Sequence, residues 1–477
     1  MPCYAWVVDF RHASLAELAE GVRAGKVSAR ELVGHALAAI DRLDPAVNAF
    51  VAVDGDRAMA AAAAVDEQVA AGRDPGPLAG IPLAVKDLED AEGYVTTHGS
   101  VTRGHDGPAA ADSVLVARLR AAGCVVVGKT NTPEFGWKAD TDNARFGRTV
   151  NPWNLDHIVG GSSGGSAAAI AAGMVPLATG SDGGGSIRIP SSCCGLSGLK
   201  PSLGRVPSGG RFAPDWQNLS TKGVMARRMA DVVDALDVAV GPDPTDLRSL
   251  PRPEASWRAA LDGARLPVRV AWSPTLGYAP VDDEVRDACE RAVGVIASLG
   301  VEVVEVPDVF ERDPVDEWLT LTMAYNLRSL ADARGSDAWA QVDPLLAAQV
   351  DYAADHITAL DLVRAEDACH ALNQRLVALF HDARLLLTPT CAAPPPPAAL
   401  GGAGMVNGVE DLNWVRFTYP FNMTRSPAAS VMVGRSSAGV PIGLQLVGPQ
   451  HADLVVIRSA AALEAAVGLD EVAPLGG

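Results

Sequence analysis

Two glycine-rich stretches, each built around serines, carry the clearest chemical potential in this sequence. Residues 160–166 read GGSSGGS, and residues 180–190 read GSDGGGSIRIP. Glycine at this density indicates backbone in conformations closed to other residues, or backbone that a ligand approaches closely. Successive N–H groups in such a turn form an anion-binding concavity, to which a following helix adds a favourable dipole. An oxyanion hole, which stabilises the tetrahedral intermediate of acyl transfer, has this form.

A lysine at the end of an apolar run is the third candidate for chemistry. Residues 80–87 read GIPLAVKD, so a strand-like segment ends at Lys86 with Asp87 beside it. Inside a protein, loss of hydration favours the neutral amine, which is a base. A surface lysine whose ammonium reaches water is the ordinary alternative. Asp87 and the two serine stretches downstream favour the buried base.

These three stretches together resemble the amidase signature family, whose members hydrolyse amides with a Ser-Ser-Lys triad. The resemblance covers roughly residues 14–240 and 384–448, including FNMT at 421–424 and GLQLVG at 443–448, and it is weak between them. By position in the motifs it implies three roles: Ser186 as nucleophile, Ser162 as the bridging serine after a cis peptide bond from Gly161, and Lys86 as base.

The resemblance also implies which backbone groups hold the oxyanion and that no cofactor takes part. The implied donors are the N–H groups of Gly183, Gly184, Gly185 and Ser186. Ser186 could equally cap a helix that begins near Ile187, because serine caps helices routinely, and that role is compatible with catalysis.

Polar residues around the two serines have supporting roles in this interpretation. We expect Ser163, Ser166 and Ser181 to hydrogen-bond the backbone of their turns, as short polar side chains do. Asp182 and Arg188 flank the nucleophile with opposite charges. We prefer a buried ion pair that fixes the loop over a role in substrate binding, because an unpaired buried charge is costly.

Arg425 and a group of aromatic residues bear on the substrate. Arg425 stands where the family usually has glycine, which concerns the shape and charge of the pocket near that loop. Four aromatic residues hint at an apolar or aromatic acyl site, namely Trp137, Trp414, Phe417 and Tyr419.

Residues 123–130, GCVVVGKT, fit the P-loop pattern letter for letter. The four residues between the glycines favour a β-strand, whereas a P-loop needs a flexible loop there that is followed at once by a helix. Pro133 follows instead. The sequence therefore disfavours nucleotide binding.

Residues 160–164 also satisfy the Gly-x-Ser-x-Gly elbow of α/β-hydrolases, in which Ser162 would be the nucleophile. That mechanism needs an acidic residue and then a histidine later in the chain. His381 and His451 are the candidates, and neither has evident supporting residues around it. This interpretation predicts an esterase and remains the less favoured one.

Composition limits the classes of partner. The chain of 477 residues has 39 basic and 57 acidic residues and a net charge of −18, which disfavours a nucleic-acid partner. The N-terminus lacks the features of a secretory signal, and no apolar run is long enough to span a bilayer. We therefore predict no membrane partner and a cytoplasmic location.

Cysteine and histidine usage disfavours disulfides and metals. Seven cysteines without regular spacing fit buried thiols better than a disulfide framework, and the nine histidines include no His-Glu-x-x-His motif. The sequence thus predicts neither a metal nor a cofactor.

The elements that must position these residues follow from periodicity. The patterns predict one domain over 1–477, an α/β/α sandwich in which helices cover a central mixed β-sheet. Predicted helices cover 14–24, 28–43, 56–71, 113–122 and 165–172, the first two with Ser-x-x-Glu capping boxes. Predicted strands cover 83–85, 124–127, 175–179, 268–272, 301–304, 385–387, 429–433 and 442–447.

Four regions divide this domain. We expect an N-terminal helical layer over 10–75, a catalytic core over 78–240, a mainly helical insertion that walls the pocket over 250–383, and a return to the core sheet over 384–470. A run of four prolines at 394–397 indicates a loop or lid segment.

These features predict an amidase that hydrolyses a small, apolar or aromatic amide, with esters, anilides or carbamates as further substrates. The alternative is an ammonia-generating subunit of a tRNA-dependent amidotransferase. A binding protein with an inactive site is disfavoured because Lys86, Ser162 and Ser186 are all present. The sequence leaves a homodimer open.

Overall fold

The molecule, a computed structural model, is described over residues 8–210, 213–214, 216 and 218–475. Its strands are β1 Phe50–Val53, β2 Pro82–Lys86, β3 Val125–Thr130, β4 Val150–Asn151, β5 Asn154–Ile158, β6 Leu177–Asp182, β7 Ser197–Lys200, β8 Thr221–Ala226, β9 Arg269–Trp272, β10 Glu302–Glu305, β11 Leu386–Pro389, β12 Gly404–Val406, β13 Val409–Asp411, β14 Ala428–Arg435 and β15 Pro441–Val447.

The α-helices pack on both faces and at the edges of the main sheet. They are α1 Leu15–Arg23, α2 Ala29–Val47, α3 Gly55–Ala70, α4 Val114–Ala121, α5 Gly164–Ala171, α6 Arg188–Cys194, α7 Met229–Ala239, α8 Asp283–Ser298, α9 Val315–Leu330, α10 Pro344–His356, α11 Ala359–Asp382, α12 Pro420–Met423 and α13 Asp453–Val467. Short 3-10 helices lie at Glu134–Gly136, Ala259–Leu261, Asp337–Gln341 and Ala398–Leu400.

Eleven strands form one mixed sheet in the order β1-β3-β2-β6-β8-β7-β14-β15-β11-β9-β10. Strands β3, β2 and β6 run parallel, as do β11, β9 and β10, and antiparallel pairs join the two groups. The predicted α/β architecture with a mixed sheet is confirmed. Because β2 and β6 are parallel neighbours, their carboxyl ends, Lys86 and Asp182, meet at one edge of the sheet.

The N-terminal helices begin where their caps predict. The Ser14 hydroxyl accepts from the Glu17 N–H at 3.2 Å, and the Ser28 hydroxyl accepts from the Glu31 N–H at 3.1 Å, with each glutamate closing a capping box. Each such box satisfies two backbone donors that the helix leaves free. Strand β1, which lies between α2 and α3 at the sheet edge, was not predicted.

Helix α5 is buried along its whole length, and its small residues are required by close packing. A Cβ atom on Gly165 would lie 2.4 Å from the Asn131 backbone nitrogen. The helix therefore sits against β3 and its following loop at a separation that only glycine permits.

The region 250–383 contributes both to the sheet and to the pocket wall. Strands β9 and β10 are neighbours in the main sheet, and α8 connects them along the chain. Helices α9, α10 and α11 pack outside the sheet. The four-proline run is a fixed loop, since the Ile158 N–H donates to the Pro396 carbonyl at 3.0 Å.

Six cysteines lie within the described residues, and all six are unpaired and buried, while Cys3 lies outside them. Burial raises the pKa of several of these thiols, Cys124 among them. In the same part of the chain, no three His, Cys, Asp or Glu side chains are grouped as metal ligands would be. None of the described helices has the length and apolar character needed to cross a membrane.

Two buried carboxyl groups join α13, α7 and α1. Glu464 on α13 accepts hydrogen bonds from the Ser197 hydroxyl and from the Met229 N–H at 3.0 Å, and Asp231 accepts from the Leu15 N–H at 2.8 Å. Burial raises the pKa of Glu464 from its ordinary 4.5 to about 7, and nearby Asp231 adds to this rise.

The pH dependence of stability should reflect this raised pKa. The protonated carboxyl of Glu464 stabilises the folded state, and this contribution is fully present below pH 4.5. It is lost as the pH rises through about 7, which lowers the free energy of unfolding by ~3 kcal/mol. Replacing Glu464 with Gln should therefore raise the melting temperature at pH 8 relative to wild type and leave it nearly unchanged at pH 5. Thermal unfolding at both pH values measures this, with the exposed Glu302→Gln as control; equal effects at the two pH values would contradict it.

Candidate active site

Lys86, the last residue of β2, lies in the interior with two hydroxyl groups at its amine. Its side chain is 0% exposed, and Nζ lies 2.8 Å from Ser162 Oγ and 3.1 Å from Ser181 Oγ. Its backbone N–H donates to Thr179 Oγ1 on the neighbouring β6 at 2.9 Å. The alternative of a surface lysine is therefore wrong.

The surroundings of Lys86 favour the neutral amine. Burial lowers the pKa of Lys86 well below its ordinary value, and the Lys222 ammonium lowers it further, while Glu89 and Asp182 act in the opposite direction. No carboxylate among the described residues contacts Nζ. A neutral amine bonded to a serine hydroxyl is a general base in position.

Asp87 pairs with another lysine, although its position beside Lys86 in the sequence was one reason to expect a buried base there. Its carboxylate lies 3.3 Å from Lys129 Nζ and accepts from the Thr97 N–H at 3.2 Å. Lys129 is the lysine of the P-loop-like pattern, and it is buried in β3 rather than exposed in a loop. The strand predicted within the P-loop-like pattern, which was the reason to disfavour nucleotide binding, is thus confirmed as β3.

Ser162 follows a cis Gly161–Ser162 peptide bond, as the sequence predicts, and stands just before α5. Its hydrogen-bonding partner is Lys86. His381 is 88% exposed beside Asp382, and His451 is exposed on a surface turn. The elbow hypothesis is thus wrong, because no described histidine hydrogen-bonds Ser162.

Ser186 lies in the turn between β6 and α6 and lines a cleft. Helix α6 begins at Arg188 with Ile187 at its N-cap position, so Ser186 is not the cap. The capping role falls to Asp182, whose Oδ2 accepts from the Ile187 N–H at 3.2 Å. Within the described residues, the Ser186 hydroxyl makes no hydrogen bond to Ser162.

Three of the four predicted oxyanion donors are unengaged. The Gly185 N–H donates to Asp182 Oδ1 at 2.8 Å, so the prediction that it faces the oxyanion is corrected. The N–H groups of Gly183, Gly184 and Ser186 have no acceptor in the described part of the chain. A Cβ on Gly184 would lie 2.5 Å from Trp318 Cζ2, so only glycine fits there.

The predicted ion pair behind this loop is confirmed. Arg188 Nη2 lies 2.8 Å from Asp182 Oδ1, and both side chains are 0% exposed. Asn422 Nδ2 donates to the same carboxylate oxygen at 2.9 Å, and Gln445 Oε1 accepts from Arg188 Nη1 at 2.6 Å. Burial raises the pKa of Asp182, but Arg188, Lys200 and Asn422 together lower it by more, so it stays below its ordinary value.

Comparison with known proteins agrees with this geometry. The Amidase family profile matches residues 31–457. The chain belongs to the amidase family. It is accordingly a hydrolase of carbon–nitrogen bonds in non-peptide amides.

Individual relatives align over nearly the whole of this amidase. An acylamidase of Rhodococcus erythropolis is 36% identical, covering 95% of each chain. A glutamyl-tRNA(Gln) amidotransferase subunit of Synechococcus sp. (strain CC9605) is 34% identical, covering 92% of this chain and 94% of its own. The crystal structure of a bacterial aryl acylamidase of the amidase signature family superposes with a TM-score of 0.88 at 32% identity, covering 95% of this chain and 96% of that one.

The other serines of the amidase divide into two groups. Ser163 Oγ donates to the Ser181 carbonyl at 3.4 Å, and Ser166 Oγ donates to the Thr179 carbonyl at 2.9 Å, as predicted. Ser181 differs, because its hydroxyl contacts Lys86. The sequence placed Ser181 in a turn, whereas it lies in β6, where its side chain points into the site.

The cleft in front of Ser186 is aromatic and open to solvent. Trp137 and Tyr419 line it as predicted, but Trp414 and Phe417 lie in the core. Sequence analysis missed the other two aromatic residues of the wall, Trp216 and Trp318. The lining comprises Gly136, Trp137, Lys138, Ala139, Gly161, Gly184, Ser186, Ile189, Trp216, Trp318, Asn413, Val415 and Tyr419.

Trp318, one of the two missed residues, packs against both Tyr419 and the other missed residue, Trp216. The Trp318 and Tyr419 rings are 5.1 Å apart and nearly parallel, and the Trp216 ring meets Trp318 edge-on at 5.9 Å. Trp318 lies on α9, in the region where the family resemblance is weak. The tryptophan itself was the only sequence signal, since periodicity does not reveal which insertion residue faces the cleft.

Arg425 does not line the cleft. Its backbone adopts a φ of 61°, a conformation that favours glycine, and its guanidinium lies 3.2 Å from Glu366 on α11. The side chain thus ties this loop to the insertion.

Breaking the Asp182–Arg188 pair should be strongly destabilising. Arg188→Met leaves the Asp182 carboxylate buried without its charge partner, so the free energy of unfolding should fall by about 3–5 kcal/mol. Urea denaturation measures it. Arg334→Met, which removes an exposed pair with Asp351, is the control and should change stability little. Similar effects for the two variants would contradict the structural role.

Proposed function

We propose that this amidase cleaves neutral aromatic amides through an acyl-enzyme on Ser186, with Ser162 as proton relay and Lys86 as base. The observation that carries the proposal is the 2.8 Å contact between the fully buried Lys86 amine and Ser162 Oγ. Of the two hydroxyl groups at this amine, that of Ser162 is the proposed relay, because the preceding residue, Gly161, lines the cleft together with Ser186.

Nucleophilic attack begins with two linked proton transfers. Neutral Lys86 takes the proton of Ser162 as Ser162 takes that of Ser186, and Ser186 Oγ adds to the amide carbonyl carbon. The relay requires the Ser186 hydroxyl to rotate towards Ser162. Catalytic hydrogen bonds often form only when substrate is bound, so the open geometry is compatible with this step.

The tetrahedral intermediate then collapses with return of the proton. Its oxyanion is held by the unengaged N–H groups of Gly183, Gly184 and Ser186, each such donor being worth about 10²–10³ in rate. The Lys86 ammonium returns a proton through Ser162 to the leaving nitrogen, which departs as ammonia or an amine. Water, activated by the same base, hydrolyses the acyl-enzyme.

The cleft supports a neutral substrate with an aromatic group. Lys138 is the one charged residue among the described lining residues, and its Nζ lies 2.9 Å from Asp343. Among the described residues, the cleft therefore offers no unpaired charge for an ionic substrate. The Trp318–Tyr419 stack and Trp216 offer aromatic faces, and such contacts prefer another ring. The acylamidase and aryl acylamidase relatives agree with this choice.

The amidotransferase relative favours a second candidate, an ammonia-generating subunit. The two functions differ in their need for a partner, since a stand-alone amidase cleaves simple amides alone. The lack of an unpaired charge among the described lining residues favours the first, because a glutamine substrate carries an α-carboxylate and an α-ammonium.

We further propose a cytoplasmic location, in agreement with the unpaired state of the six described cysteines. A homodimer stays a prediction that gel filtration can test.

The triad can be tested by substitution with an aryl amide as substrate. Ser186→Ala should lower kcat by about 10⁴-fold or more, and Lys86→Met and Ser162→Ala by at least about 10²-fold, since the nucleophile and its base act as one unit. Steady-state kinetics of the isolated chain measures this. His451→Ala is the control and should retain wild-type activity. Loss of activity in Ser162→Ala with activity retained in Ser186→Ala would contradict the proposal, and activity that appears only with a partner protein would favour the second candidate.

The aromatic wall should determine selectivity. Trp318→Leu should lower kcat/KM for a phenyl amide about 3- to 10-fold more than for a matched alkyl amide, because one aromatic contact contributes ~0.5–1.5 kcal/mol. Trp318→Phe should retain the preference, since it keeps a ring against Tyr419. Tyr352→Ala, at an exposed tyrosine on α10, is the control. An unchanged phenyl-to-alkyl ratio in Trp318→Leu would rule out this contact as the source of selectivity.

A further inference from the structure

A buried ion pair that the proposed mechanism does not use lies next to the base. Lys222 Nζ on β8 is 2.5 Å from Glu89 Oε1, and the two side chains are 17% and 2% exposed. Glu89 follows β2 in the turn, where its N–H donates to the Lys86 carbonyl at 2.9 Å. The backbone of the residue that holds Lys222 is therefore hydrogen-bonded to the backbone of the base.

Strand pairing brings the Lys222 side chain to the same face as the site. Lys222 is directly opposite Ser181 in the antiparallel pair of β6 and β8. Side chains of directly opposite residues point to the same side of a sheet with Cβ atoms about 5 Å apart. Since Ser181 Oγ contacts Lys86 Nζ at 3.1 Å, Lys222 and Lys86 approach the same hydroxyl-lined space.

The other charged groups around Lys86 have partners of their own. Asp87 on β2 pairs with Lys129 on β3, and Asp182 on β6 pairs with Arg188 on α6. Within the described part of the chain, the charged groups near the base are thus Glu89, Lys222, Asp87, Lys129, Asp182 and Arg188.

We propose that Lys222, held by Glu89, is a positioning residue that keeps Lys86 in its neutral form by placing a second positive charge beside it. The inference rests on the proposed role of Lys86 as base. Two ammonium groups in a poorly hydrated space repel each other, so the more deeply buried amine gives up its proton. Lys222 is the group in contact with a carboxylate, and it therefore keeps its charge.

The relative sizes of the effects on the pKa of Lys86 agree with a charged Lys222 and a neutral Lys86. After burial, Lys222 is the largest influence on the pKa of Lys86, and its lowering effect is larger than the opposing effect of Glu89 or of Asp182 taken singly. The ion pair as a whole acts on Lys86 as a positive charge. Both partners are needed, since Glu89 holds the ammonium at its place.

The acid limb of the pH profile tests the proposal, because kcat/KM reports the ionisation of the free enzyme's base. In Lys222→Gln, Lys86 should hold its proton to higher pH. At a pH on the wild-type limb, kcat/KM for an aryl amide should fall by about fivefold or more, while at the alkaline plateau it stays within about twofold. Lys222→Arg keeps the charge and should restore the wild-type limb.

Two further variants separate this effect from loss of structure. Arg205→Met breaks another ion pair of similar exposure, with Asp453 on α13, and should lower stability without moving the limb. The double variant Glu89→Gln/Lys222→Gln leaves no unpaired carboxylate, so it keeps the test available if Lys222→Gln does not fold. Its limb should move in the same direction by less.

The rate at which a fluorophosphonate labels Ser186 gives a second readout that needs no amide turnover. Its pH dependence should shift in Lys222→Gln as that of kcat/KM does. An unmoved limb in Lys222→Gln, or a shifted one in Lys222→Arg, overturns the role of Lys222. A fully active Lys86→Met enzyme would instead overturn the proposed base, so the two failures are distinguishable.

Discussion

The burial of a lysine amine between two serine hydroxyls is the constraint on which the rest of the site depends. Lys86 Nζ has Ser162 Oγ at 2.8 Å and Ser181 Oγ at 3.1 Å, and no described carboxylate contacts it. A charged ammonium here would lose its hydration without an anion to replace it. The fold therefore stabilises a neutral amine, and the nearby acids, Asp87 and Asp182, are each bound to another cation.

The glycines of the two motifs are fixed by packing as much as by chemistry. A Cβ on Gly183 would lie 2.6 Å from a Trp216 ring atom, and one on Gly185 would lie 2.3 Å from Thr418 Oγ1. Gly165 is similarly constrained by the backbone of Asn131. Glycine is thus required in these motifs for two reasons. Neighbouring elements approach the backbone closely, and N–H groups of the backbone face the cleft.

Much of the fold and of the proposed triad could be predicted because their signals are local. Ser-x-x-Glu pairs fix helix starts, apolar runs fix strands, and the motifs fix Lys86, Ser162 and Ser186. The strands β7 and β8 were missed because they contain glycine and lack a run of β-branched residues, so they form through pairing within the sheet. The contact of Ser181 with Lys86 was missed for the same reason, because β6 extends past a glycine that is typical of a turn.

The cleft could not be predicted because its wall is assembled from distant segments. Trp137, Trp216, Trp318 and Tyr419 come from separate parts of the chain, and only the tertiary fold brings them together. The prediction of Gly185 as a donor failed on a similar ground. Whether a given N–H faces the cleft depends on which acceptor lies behind it, and here Asp182 is that acceptor.

The aromatic wall of the cleft also orients the turn at 183–186, which carries the proposed oxyanion donors. In a planar trans peptide, a carbonyl and the following N–H point in opposite directions, so an anchored carbonyl fixes the next donor. Trp318 Nε1 donates to the Gly183 carbonyl at 3.2 Å and so orients the Gly184 N–H. The Gly185 carbonyl accepts from the Ile189 N–H at 2.7 Å, which orients the Ser186 N–H in the same way. The core helix therefore orients one N–H group and the insertion orients the other, so a change in the insertion that alters substrate recognition also acts on the proposed oxyanion hole.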